Sequence, residues 1–284
     1  MGSSYTNTKR KGGKPTQIQR LSKQALYLGA ILLVCAAIYT AIKSIGNSDQ
    51  SDASTQFPHG TIRELTSLRA FMPAYLSVNC KEPLLESIRT IRIAGTVESD
   101  GNSENFVLVK MRPDRMLFNL DRVTHEITYG IIGPEVWERI RIPKKDDIHT
   151  MIEGEAAEAW RAQSHFFDRI IEAHLGKGII TGIEAADWNG NDCLKVHITD
   201  ANEKRVETFI DPFTMYPIAE RQILSNGSIQ QSEFFDYHDV DGIPIPFHII
   251  ASVNNTITTR TRIERAAINT GIMSRLFEVP DSLR

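Results

Sequence analysis

Phe209-Ile210-Asp211-Pro212-Phe213-Thr214, then Pro217, then Asn226-Gly227, then Asp236-Tyr237-His238-Asp239-Val240-Asp241-Gly242-Ile243-Pro244-Ile245-Pro246-Phe247 is the stretch that decides the fold. Short alternating segments are separated by turn residues at nearly regular spacing, which is how an antiparallel meander is written. Asp211 is placed to bond the backbone two residues on, and Pro212 presets the first turn residue. Asn226-Gly227 suits a two-residue hairpin, and Gly242 after Asp241 falls where a hairpin calls for positive φ. No residue in the run looks like a nucleophile or a metal cage. The run specifies architecture, and function must come from what that architecture encloses.

Working outward, the same grammar continues in both directions. Ile91, Ile93, Gly95 and Val97 alternate with Arg92, Ala94, Thr96 and Glu98, and Asp100-Gly101 makes the next turn. Strands are expected at 106–111, 115–121, 126–132 and 135–142, before a polar stretch from Pro143 to Ile148 breaks the sheet. They resume at 179–185, 192–199, 205–211, 218–224, 229–237, 247–253 and 256–263. One strong helix is expected from Ala156 to Leu175, with Trp160, Phe167, Ile170, Ile171 and Leu175 on one side and Gly176 as its stop. A shorter one runs over 83–87, and another over 61–79, where Pro73 interrupts or bends it. About 11–12 strands with few helices form a mainly β domain with some α, in which a strongly twisted sheet must curl or close.

The N-terminus differs in kind. Lys9, Arg10, Lys11, Lys14, Arg20 and Lys23 precede an uncharged stretch from Gln24 to Ile42, closed by Lys43. That length matches one membrane-spanning helix, and the positive flank places it with its N-terminus in the cytoplasm. The expected organisation is a basic cytoplasmic tail over 1–23, a transmembrane anchor over 24–43, a flexible linker over 44–60 and a β-domain over 61–284. Such a linker reaches on the order of 20 Å as a flexible coil. A signal peptide cleaved near Ala37 is the competing reading.

Composition and motifs exclude more than they assign. The net charge of −3 gives no basic excess for nucleic acid. Aligned on Gly242, a calcium loop would need carboxylates at Tyr237 and His248, so calcium is rejected. The histidines are scattered without metal-ligand spacing, and neither a nucleophile elbow nor a glycine-rich phosphate loop is present. No catalytic residue, metal site or cofactor is expected. Cys80 and Cys193 fall in an exported domain where they could pair, although two separately buried thiols account for them as well.

Trp137, Phe167 and Phe235 are candidates to line an apolar cavity, although filling the core is the commoner role for any one such residue. Asp211, Pro212, Thr214 and Pro217, followed by Asp236, Tyr237, Val240, Asp241, Gly242, Ile243 and Pro246, resemble the C-terminal half of the LolA/LolB-like periplasmic lipoprotein carriers. The 93–98 strand, the Arg112-Pro113-Asp114-Arg115 turn and the segment from Gly133 to Trp137 extend the resemblance over roughly 65–280. It implies an incompletely closed antiparallel barrel with helices as a lid, and non-catalytic binding of lipoprotein acyl chains or lipid. Phe167, Ile170 and Ile171 would then lie over the mouth, with Trp137 on the sheet side and Phe235 in the lining. The expected place is the inner membrane, single-pass, with the C-terminal domain periplasmic. The second reading, from related domains, is an envelope-stress sensor or protein-interaction module like the regulators that bind a membrane-bound anti-sigma factor, with another envelope protein as its partner.

Overall fold

Among the described residues, four hairpins turn on two residues that both take left-handed backbone: Asp100-Gly101 (φ 50° and 77°), Asn189-Gly190 (53° and 83°), Asp241-Gly242 (53° and 84°) and Asn254-Asn255 (49° and 63°). Asn, Asp and Gly tolerate that conformation, and its twist matches that of the strands it joins. The computed structural model describes residues 56–200, 203–224 and 226–284. The expected tail 1–23, the anchor 24–43 and most of the linker 44–60 lie outside the described residues. No helix among the described residues is long and apolar enough to cross a membrane.

The described chain begins with a small hairpin, β1 (Gln56–Phe57) with β2 (Gly60–Thr61), so the end of the expected linker is paired. Helices α1 (Ile62–Leu65), α2 (Leu68–Asn79) and α3 (Glu82–Ser87) follow. The break in the expected 61–79 helix falls at Thr66-Ser67, and Pro73 sits inside α2. Thr61 and Glu64 close a reciprocal capping box that makes α1 its own unit. In α2, burial of Phe71, Tyr75 and Leu76 outweighs the ladder bond lost at proline.

The first meander is β3 (Thr90–Ser99), β4 (Asn102–Met111), β5 (Arg115–Asp121), β6 (Glu126–Ile132), β7 (Glu135–Arg141) and β8 (Ile148–Met151). The polar stretch after β7 therefore does not end the sheet; the chain returns as β8 and pairs with β7. The second is β9 (Gly178–Trp188), β10 (Asn191–Asp200), β11 (Arg205–Ile210), β12 (Pro217–Ile223), β13 (Ile229–Val240), β14 (Ile243–Val253) and β15 (Thr256–Ile268). Between β12 and β13 the loop is longer than two residues, because Leu224 N–H donates to Ser228 O.

One 13-stranded sheet results, in the order β8-β7-β6-β5-β4-β3-β15-β14-β13-β12-β11-β10-β9, with every neighbouring pair antiparallel. The two meanders join where β3 pairs with β15, and β8 and β9 are left as free edges. The sheet is curled and unclosed, as its length and twist require.

Two cores occupy its concave side. One gathers Phe106, Phe118, Tyr129 and Val136 of the first meander around Trp160. The other packs α1, α2 and α3 with Leu194, Val196 and Ile198 of β10. Cys80 and Cys193 are both buried free thiols in different clusters, and burial pushes each up to about 12.

Candidate functional site

The segment joining the free edges β8 and β9 is a strap across the concave side. It is not one helix from Ala156 to Leu175. It is α4 (Gly154–Arg161), a bend, and α5 (Arg169–His174). Trp160 of α4 stacks on Tyr129 at 4.2 Å and lies 6.2 Å from Phe118, which fixes α4 over the first meander. Ile170 and Ile171 bury α5 against the second core, over β9 and β10.

Three polar side chains hold the bend. Lys110, 1% exposed on β4, reaches across and donates its ammonium protons to the carbonyls of Gln163 and His165. A cation there complements the negative end of α4. Asp168 caps α5, its Oδ1 accepting from Ile170 and Ile171 N–H, both at 2.9 Å. Glu172 Oε1 accepts from the amides of Phe166 and Phe167 at 3.1 and 3.0 Å, and Lys177 lies 2.9 Å from its other oxygen.

Burial sets the electrostatics of this corner. It pushes the Asp168 carboxyl up to about 6 although the Ile171 and Ile170 amides favour its anion. It pushes His165 down to about 4, with Arg169 acting in the same direction. Burial also works to raise Glu172, but the Phe167 amide and Lys177 outweigh it and hold that carboxyl below its usual value. Glu220, on the concave face of β12, is raised by burial against the field of Arg169. Arg169 itself pairs with Asp200 at 3.4 Å.

Under the bend lies a cavity of about 60 Å³. Ile91, Ile93 and Leu108 form its sheet wall on one side, and residues 243–246 of β14 form it on the other. Phe166, Phe167 and Ile171 roof it from the strap. Asn79, Lys110 and Asp168 supply its polar atoms. Among the described residues no cluster of His, Cys, Asp and Glu could hold a metal ion.

Of the five residues expected at an apolar site, the structure brings two to this cavity: Phe167 and Ile171. Ile170 is fully buried but packs into the second core beside it. Trp137 is on the other face of the sheet. Its neighbour Val136 points into the first core, so the pleat turns Trp137 outward. There it lies flat on Gly130, where a Cβ would come within 2.1 Å of the indole. The C-terminal turn 274–277, with Phe277 fully buried, packs on β5 and β6. Phe235 is half-buried on β13, its ring 5.5 Å from His248, away from the cavity.

The sequence reading missed Asn79, Lys110 and Glu172. Asp168 carried a signal, since an aspartate just before Arg169-Ile170-Ile171-Glu172 is a helix N-cap pattern that marks a second helix start. Lys110 carried none, because a lysine ending an alternating strand reads as a solvated edge.

No protein-family model matches the chain, and no curated protein is significantly similar to it in sequence. Solved structures do match. A DUF1329 family protein from Desulfovibrio piger superposes with a TM-score of 0.50 at 11% identity, over 72% of this chain and 96% of that one. A LolA superfamily protein from Nitrosomonas europaea, NE2245, follows at 0.48 and 10% identity, over 74% and 96%. MucB, in the Pseudomonas aeruginosa MucA/MucB complex, matches at 0.23 and 10% identity, over 68% and 56%. The first of these shows that the curled, unclosed sheet with few helices is shared with a protein of known structure. At such identity it shows the fold alone.

Proposed function

We propose that this domain binds the acyl chains of a lipoprotein or a lipid beneath the strap, without catalysis, in lipoprotein sorting or lipid handling. Its place in this reading is the periplasmic face of the inner membrane, held there by the anchor expected over 24–43. The observation that carries the reading is the cavity between strap and sheet, walled mainly by Ile, Leu, Phe and Pro. The resemblance of the Asp211–Pro246 turn series to lipoprotein carriers supports it. Binding of this kind exchanges apolar contacts, and transfer follows relative affinities.

At about 60 Å³ the cavity is far below the ~300–1,000 Å³ of drug-sized ligand sites. In this reading the domain is in a closed state, and an acyl chain enters when the strap lifts. Lifting it breaks the Lys110 bonds and draws Phe167 and Ile171 off the sheet, while Trp160 keeps α4 seated.

The test compares two neighbours on one helix. Ile171→Asp abolishes binding of a palmitoyl probe while strand content is kept. Ile170→Ala, beside the cavity, keeps binding and loses ~2–5 kcal/mol of stability. Failure of the wild-type domain to bind any acyl probe sinks the reading and leaves the interaction module in its place.

A further inference from the structure

The cavity wall carries hydrogen-bonding groups that an acyl chain alone does not use. Asn79 is 4% exposed, and its Nδ2 donates to Tyr75 O at 3.1 Å and Met215 O at 2.8 Å. Both partners are acceptors, so the amide must face them with its nitrogen, and Oδ1 points away from them. That oxygen is buried without a hydrogen-bond partner among the described residues, and Asn79 lines the cavity. Lys110 lines the same cavity with two of its three N–H groups on the carbonyls of Gln163 and His165. A buried acceptor left unmet is costly, and its persistence in a native fold calls for an explanation.

We propose that the cavity recognises the head of an acyl chain through an uncharged amide, whose N–H donates to Asn79 Oδ1 and whose carbonyl accepts from Lys110 Nζ. The inference rests on the acyl-binding reading and names the chemistry of its ligand. A cationic head would be repelled by Lys110, and a carboxylate or phosphate head, which Lys110 would attract, brings no donor for Asn79 Oδ1. A volume of about 60 Å³ suits the amide and its first methylenes, and the rest of the chain runs beneath the lifted strap.

The experiment uses the full chain in nanodiscs and a diazirine-bearing palmitoyl probe, with labelling of residues 243–246 read by mass spectrometry. Palmitamide, N,N-dimethylpalmitamide and methyl palmitate compete in parallel. The last two keep a carbonyl and lack the donor. Palmitamide is expected to compete roughly ten-fold better than either, the equivalent of about 1.4 kcal/mol. In Asn79→Leu that advantage disappears, and the three compete alike. Equal competition by all three in the wild type overturns the inference, as does an advantage that survives Asn79→Leu. If Asn79→Leu does not fold, as judged by its melting curve, the wild-type comparison decides alone. Absence of labelling by the probe itself is a different result, and it removes the acyl-binding reading together with this one.

Discussion

Replacing Lys110 with methionine tests how the strap is held. The side chain is 1% exposed, and its bonds to Gln163 and His165 tie β4 to the bend between α4 and α5. Methionine keeps the length and removes the charge. Two hydrogen bonds from a cation contribute about 1.5–3 kcal/mol each, or ~3–6 kcal/mol together. Burying that cation costs a good part of this, since desolvation of an ion inside a protein runs to several kcal/mol. The net expected loss is ~2–3 kcal/mol, because the two carbonyls stay behind without their donor. For a domain of this size that lowers the melting temperature by about 4–12 °C. Urea titration gives the stability, and amide exchange gives the location. Protection should fall in residues 162–174 and stay unchanged in β3, β4 and β14. A variant as stable as the wild type, with unaltered exchange in the bend, would refute the idea that Lys110 pins the strap.

Asp168 and His165 oppose each other in acid. The raised Asp168 favours the fold below its unfolded value and loses that contribution as pH climbs through about 6. The depressed His165 contributes above its unfolded value and loses that contribution as pH falls toward about 4. Relative to the wild type, His165→Phe should therefore gain stability on going from pH 7 to pH 4.5, and Asp168→Asn should lose it. Urea midpoints at the two pH values check both signs, and a pH-independent difference in either variant contradicts the assignment. Gly242→Val should cost ~1–3 kcal/mol, since φ there is 84° and the new Cβ would meet Leu84 at 2.8 Å. An unchanged melting temperature would mean that the hairpin tolerates a side chain.

Much of the sheet was legible because its turns are local chemistry. Asp211 does accept from Phe213 N–H, at 2.9 Å, and also holds the Thr214 hydroxyl at 2.7 Å. Asp100-Gly101 and Asp241-Gly242 sit where left-handed backbone is needed. The strap was legible only in part: Asp168 offers a second helix start, but an apolar period sees only that Trp160, Phe167, Ile170 and Ile171 share a helical spacing. The Lys110 bonds that tie the bend to the sheet come from 53 residues away in sequence, where no local pattern can see them. Trp137 was misplaced for a related reason. Val136 and Trp137 are both apolar, so alternation could not tell which faced inward, and the vacancy over Gly130 is a cross-strand fact. Phe167 reached the cavity from the bend, not from the helix face that nominated it.

Native mass spectrometry of the full chain, released from a mild detergent after extraction from membranes, tests the acyl-binding claim most directly. The account predicts a wild-type species carrying one tightly held acyl lipid, retained through detergent exchange and missing from Ile171→Asp at equal folded content. A wild-type chain that flies bare, or an adduct that Ile171→Asp retains unchanged, would contradict it.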